Sequence, residues 1–173
     1  MAEEIVNRVA NSGLITIDLA ECFPKEEQAG FDISSCLYEG LILREKEFRA
    51  FVKSTDWNAY QNKHVYLFCS TDAIIPVWAY MLLSSALFGV AKSVFYGTRQ
   101  EQLKLLLIQG VESFLAKQEL NDARVVVKGC ADLPIGPEAY VALQTYLQGC
   151  AKAIMFGEAC STVPIYKKPR LKQ

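Results

Sequence analysis

The run Val65-Tyr66-Leu67-Phe68-Cys69-Ser70-Thr71-Asp72 is answered farther along the chain by Val125-Val126-Val127-Lys128-Gly129-Cys130-Ala131-Asp132. Downstream of both, at a constant offset of sixty residues, ten pairs are identical without a gap: Asp72/Asp132, Ile75/Ile135, Ala79/Ala139, Tyr80/Tyr140, Leu83/Leu143, Leu87/Leu147, Gly89/Gly149, Ala91/Ala151, Lys92/Lys152 and Gly97/Gly157. One residue of slack pairs Cys69 with Cys130. Self-similarity of this kind fixes element boundaries twice over.

Each copy parses alike. Val65–Phe68 and Val125–Lys128 are short apolar runs that read as buried strands. Pro76 and Pro137 stand where a helix can begin, because the first turn has no use for the missing N–H. Tyr80, Leu83 and Leu87 then recur at helical spacing, as do Tyr140, Leu143 and Leu147. Gly89 and Gly149 suit helix C-termini, and Ser93–Tyr96 and Ala153–Phe156 supply second strands. A strand–helix–strand crossover joins parallel strands and is almost always right-handed. The expected fold is therefore α/β: a single domain with a mixed or parallel sheet and a duplicated strand–helix–strand unit at about 64–97 and 124–157. Between the copies, Glu101–Lys117 reads as an amphipathic helix. Earlier, Leu14–Leu19 alternates as a strand, Leu41–Leu43 is a further candidate strand, and Glu45–Val52 looks helical. Residues 1–62 form an N-terminal α/β portion, 63–168 the duplicated portion, and 169–173 a flexible tail.

Composition agrees with a folded globular protein: 173 residues, 51% apolar, 21% charged, net charge −1. No overall field draws such a chain to nucleic acid, and no GxGxxG, phosphate loop or nucleic-acid motif occurs. The start, Met1-Ala2-Glu3-Glu4, lacks a signal peptide's basic and apolar regions, so the expected location is cytoplasmic. Six cysteines then read as thiols, ligands or core residues, not as disulfides. Ala73–Ala91 carries no charge over nineteen residues, long enough to span a membrane. Pro76 inside it, and Glu138, Gln144 and Gln148 in its copy, argue instead for a buried helix and no membrane. Trp78 stands where the second copy has Glu138, so the first helix is expected to meet protein and the second water.

In open α/β sheets, ligands bind beyond the C-terminal strand ends. The repeat puts Cys69-Ser70-Thr71-Asp72 and Cys130-Ala131-Asp132 there, and Cys160-Ser161-Thr162 leaves the last strand. Three readings compete. Cys69, Cys130 and Cys160 as thiolate ligands would hold zinc, iron or an iron–sulfur cluster, with Asp72, Asp132, Glu158 or water in a fourth position. Ser70, Thr71, Asp72, Asp132, Ser161 and Thr162 would line that site. Alternatively one cysteine, activated by a helix terminus, carries sulfur or redox chemistry. Or the thiols are packing and the aspartates helix caps. Cys150 matches Val90 and reads as core. Cys22 and Cys36 show no partner pattern. His64, the sole histidine, opens a strand and reads as a surface or interface residue. Any Ser-His-Asp triad would depend on it.

Glu39-Gly40-Leu41-Ile42-Leu43-Arg44-Glu45-Lys46, Asp56-Trp57, Cys69 through Tyr80, Lys128-Gly129-Cys130 with Asp132 and Pro134, and Gly157 through Tyr166 together resemble the bacterial family called domain of unknown function 2480, from Glu3 to about Lys168. Cys22–Gly30 and Pro169–Gln173 depart from its pattern. The resemblance implies bacterial cytoplasm and carries no established activity. The resemblance also implies a gene neighbourhood that often includes iron–sulfur cluster assembly genes, and by that association an accessory role in iron–sulfur or sulfur metabolism, with assembly proteins as partners. The alternative is a non-enzymatic interaction module or homodimeric scaffold that uses the apolar helix Pro76–Phe88.

Overall fold

In a computed structural model, which describes residues 14–128, 133–158 and 161–169, the chain is α/β, and its strands divide between two sheets. The elements in order are β1 (Leu14–Ile17), β2 (Gln28–Asp32), α1 (Glu45–Ser54), β3 (His64–Phe68), α2 (Val77–Leu87), β4 (Ser93–Tyr96), α3 (Arg99–Leu115), β5 (Arg124–Val127), α4 (Pro137–Cys150), β6 (Ala153–Glu158) and β7 (Ser161–Lys167). Short 3-10 turns occupy Leu19–Cys22, Ile33–Cys36 and Trp57–Tyr60. Two compact units result. One comprises residues 24–103; the other joins the described residues 14–23 to those from 104 onward.

The 24–103 unit carries the sheet β2-β3-β4, parallel throughout. Its core joins Phe31, Ile33, Phe48, Val52, Trp57, Val65, Leu67, Ala79, Leu83 and Leu87. Trp57 packs its ring 5.5 Å from that of Phe31 and donates its indole N–H to the Val52 carbonyl at 3.0 Å, so its one polar atom is satisfied inside the core. β2, absent from the sequence reading, contains Gly30 because the Tyr66 ring lies over it: a Cβ there would come within 2.7 Å of that ring. Leu41–Leu43 is not a strand. Glu39 (φ 50°) and Gly40 (φ 71°) turn the chain back on itself, leaving only a bridge between Tyr38 and Ile42.

The second unit carries β1-β5-β6-β7, in which β1, β5 and β6 are parallel and β7 is antiparallel. Ile17, Leu107, Val111, Val125, Leu143, Leu147 and Ile154 are buried here. The stretch after β6, read from sequence as a loop, includes the start of β7. Pro164 argues against a strand in sequence, yet it is tolerated because β7 is the sheet's edge.

The offset of sixty lays β3-α2-β4 on β5-α4-β6. Ala79/Ala139, Leu83/Leu143 and Leu87/Leu147 are each buried at both positions, and Tyr80–Tyr96 and Tyr140–Phe156 are edge-on ring pairs at 4.8 and 5.8 Å. The two stretches belong to different sheets, so similarity makes their strand ends equivalent positions and by itself brings no residue of one beside a residue of the other. The glycines differ too. Gly89 takes φ +80°, a conformation that glycine adopts at little cost, whereas α4 runs through Gly149 to Cys150 and is capped at Ala151.

Helix α2 is not enclosed. Ala79, Leu83 and Leu87 face the core, while Val77, Met81 and, just past the helix end, Phe88 stand in solvent. Trp78 packs inward, 6.0 Å from the Phe48 ring and under the Arg49 guanidinium, so it serves its own unit. No helix among the described residues is long and apolar enough to cross a membrane.

Candidate functional site

Asp18 follows β1 and Asp32 closes β2, and each starts a 3-10 turn. Asp18 Oδ1 accepts from Ala20 N–H at 2.9 Å and Asp32 Oδ1 from Ser34 N–H at 3.0 Å, the usual side-chain satisfaction of an orphan turn donor. Each carboxylate also reaches the loop beyond the adjoining strand: Asp18 Oδ2 takes Lys128 Nζ at 3.1 Å, and Asp32 Oδ1 takes Ser70 N–H at 3.1 Å. Sequence reasoning missed both residues. The signal is there in Asp18-Leu19-Ala20-Glu21-Cys22 and Asp32-Ile33-Ser34-Ser35-Cys36, an Asp-x-x-x-Cys pattern that also gives Cys22 and Cys36 the partner pattern they were thought to lack. Burial raises the thiol pKa of both, that of Cys22 to about 11. Protonated at neutral pH, they are packing residues.

On the β2–β3 rim, Ser34 and Ser70 hydroxyls meet at 3.0 Å, and Cys69 Sγ lies 3.3 Å from Thr71 Oγ1. Burial opposes ionisation of Asp32, but the hydrogen bonds from Ser70 and Ser34 outweigh it and hold the carboxyl below its ordinary value. That carboxylate is therefore committed to holding the loop. Asp72 is exposed and does not cap α2, whose N-cap is Pro76 with no side-chain hydrogen bond. Tyr80 completes the neighbourhood. Its phenol is pushed up to about 12, first by burial and then by Tyr96, Cys69 and Asp32, so it stays a neutral hydroxyl.

Of the remaining sequence candidates, Cys130, Asp132 and Cys160 lie outside the described residues. Ser161 and Thr162 open β7 and pair with Glu158 and Gly157, in the other sheet from Cys69. Among the described residues, no three His, Cys, Asp or Glu side chains converge as metal ligands. His64 is buried, not a surface residue. Its Nδ1 meets Ser93 Oγ at 2.7 Å and its Nε2 lies 3.5 Å from Glu26 Oε2. At the N-terminal end of β3 it stands about 16 Å from Cys69 along the strand, too far to act as that thiol's base.

Beside this rim lies a groove of about 510 Å³ whose lining includes Ile75, Val77, Met81, Val94, Phe95 and Tyr96, with no charged residue. It continues over Met81, Ser84, Ser85 and Phe88. Ile74, Val77, Met81, Phe88 and Tyr96 are all more than 60% exposed, an apolar surface that folding of this unit leaves uncovered.

Comparison of the chain with curated proteins returns no match, and comparison with solved structures returns none either. A family profile does match, over residues 3–168, nearly the whole chain. The chain belongs to the family described as protein of unknown function, DUF2480.

Proposed function

We propose that this protein is a non-enzymatic interaction module that pairs with a second copy of itself through the outer face of α2. The carrying observation is the exposure of Ile74, Val77, Met81 and Phe88, from 68% to 94%, within a stretch that has no charge from Ala73 to Ala91. Monomer surfaces carry apolar patches of at most roughly 300–600 Å², and such patches mark interaction sites. In a twofold pair, the same patch meets itself. An uncharged face suits that geometry because no like charges are brought together, and projecting Met81 and Phe88 adjoin a groove able to receive them.

The reading as an accessory factor of iron–sulfur or sulfur metabolism rests on Cys69, Cys130 and Cys160 acting together. Cys69 has a hydroxyl neighbour in Thr71 and no ion-pair or hydrogen-bond contact with His64 among the described residues, and strand equivalence does not itself converge the three thiols. The apolar face is the better supported basis for function.

Light scattering coupled to size exclusion, on the full chain at high micromolar concentration, tests the proposal. The wild type should elute as a dimer and Met81→Glu and Phe88→Glu as monomers with unchanged circular dichroism. A monomeric wild type, or dimeric glutamate variants, would overturn it.

A further inference from the structure

At the opposite end of the second sheet from the β5 and β6 C-termini, a cavity of about 670 Å³ lies within the range of roughly 300–1,000 Å³ typical of small-molecule sites. Four cationic residues line it, Arg124, Lys152, Lys167 and Lys168, and no carboxylate does. We infer that this cavity binds a small ligand carrying a phosphate group and an apolar or aromatic body, the phosphate held between Arg124 and Lys167.

The strand register builds the site. Leu14, Arg124, Ala153 and Lys167 are successive partners across β1, β5, β6 and β7, so all four share one row. Ala153 stands between the two residues in register, its strand about 4.8 Å from each of theirs, and its single methyl leaves room between the two long side chains. Lys168 is neutralised by Asp122 at 2.9 Å, and Asp122 also feels Lys152. Arg124 and Lys167 form no ion pair among the described residues. The backbones of Arg124 and Lys167 lie two strand spacings, about 10 Å, apart, so their long side chains, unpaired among the described residues, can converge on one tetrahedral oxyanion, Arg through its fork of donors and Lys as a point charge.

The rest of the wall is apolar. Met155 and Pro164 are register partners beside a shift in the β6–β7 pairing, and breaks in strand register of the bulge kind commonly occur beside functional sites. With Leu14 and Tyr166 they give the cavity more apolar than polar surface, which suits an organic phosphate better than a bare anion. Nothing in this inference depends on the α2 face.

Isothermal titration of the full chain with phenyl phosphate, adenosine monophosphate, inorganic phosphate and a short single-stranded oligonucleotide tests the inference. The organic phosphates should bind saturably and more tightly than inorganic phosphate, with affinity falling as salt rises. Arg124→Gln and Lys167→Gln should each weaken them about tenfold, the loss of one charge-assisted hydrogen bond, while Lys117→Gln, at an exposed site elsewhere, leaves them unchanged. Ala153→Leu should abolish binding with all cations retained, which separates a shaped notch from diffuse positive charge. The inference is overturned if no organic phosphate binds at millimolar concentration, if binding survives Arg124→Gln and Ala153→Leu, or if the oligonucleotide binds more tightly, which would make the surface a nucleic-acid contact.

Discussion

Gly110 and Gly149 both lie inside helices, α3 and α4, and in isolation each Gly→Ala change should stabilise by about 0.5–1 kcal/mol through reduced unfolded-state entropy. The structure separates them. Nothing lies within 4 Å of a Cβ added at Gly149, so Gly149→Ala should keep the full gain and raise the melting temperature by about 1–4 °C. A Cβ at Gly110 would run into the carbonyl oxygen of Cys22, with the carbonyl carbon only 3.2 Å away. Both atoms are backbone and cannot rotate aside. Displacing the Leu19–Cys22 turn from α3 carries the overpacking cost of about 1–3 kcal/mol, more than the entropy gain, so Gly110→Ala should lower stability by about 1–2 kcal/mol. Urea unfolding followed by circular dichroism, with equal slopes for both variants, measures the difference. If Gly110→Ala matched Gly149→Ala in stabilising the chain, α3 would not pack on the Leu19–Cys22 turn as described.

Asp32→Ala should cost about 1–2 kcal/mol at neutral pH, because it orphans the Ser34 and Ser70 N–H groups. The Asp32 carboxyl lies below its ordinary value of 3.8 when folded. Its stabilisation is thus present above pH 3.8 and lost as pH falls through the folded value, so wild type and variant should converge in acid; a gap that persists there refutes the assignment. His64→Ala should cost about 1–3 kcal/mol by leaving Ser93 and Glu26 without their shared partner, with oligomeric state unchanged. A neutral effect in urea melts would mean that the ring bears no load.

The repeat made β3, β4, β5, β6, α2 and α4 legible, because two copies of one pattern correct each other. α1, α3 and β1 were legible from periodicity alone. β2 was not, since Gly30 interrupts its apolar run for the sake of a ring contributed by the neighbouring strand. β7 was hidden by Pro164, which an edge strand tolerates where the missing N–H would face away from its one partner strand. The division into two sheets is likewise absent from local sequence, because similarity reports equivalent environment and says nothing of adjacency. Cys69 was read just past the end of its strand, where the structure has it, but Asp32, which holds that loop, went unread. Both Asp-x-x-x-Cys turns lie ahead of the repeat that drew attention, and a caps-and-turns reading at Asp18 would have found them. His64 was misjudged because its partners, Glu26 and Ser93, lie far away in sequence.

The β1 pairing has a consequence for synthesis of the chain. Asp18 and Lys128 are 110 residues apart, and the strand that β1 pairs with among the described residues is β5, which leaves the ribosome much later. Among the described strands, β2, β3 and β4 pair with one another alone, so residues 24–103 can fold during translation while the first strand waits for β5, its edge a template for the wrong partner. The late closure of this long loop, rather than formation of either crossover, should set the pace of maturation.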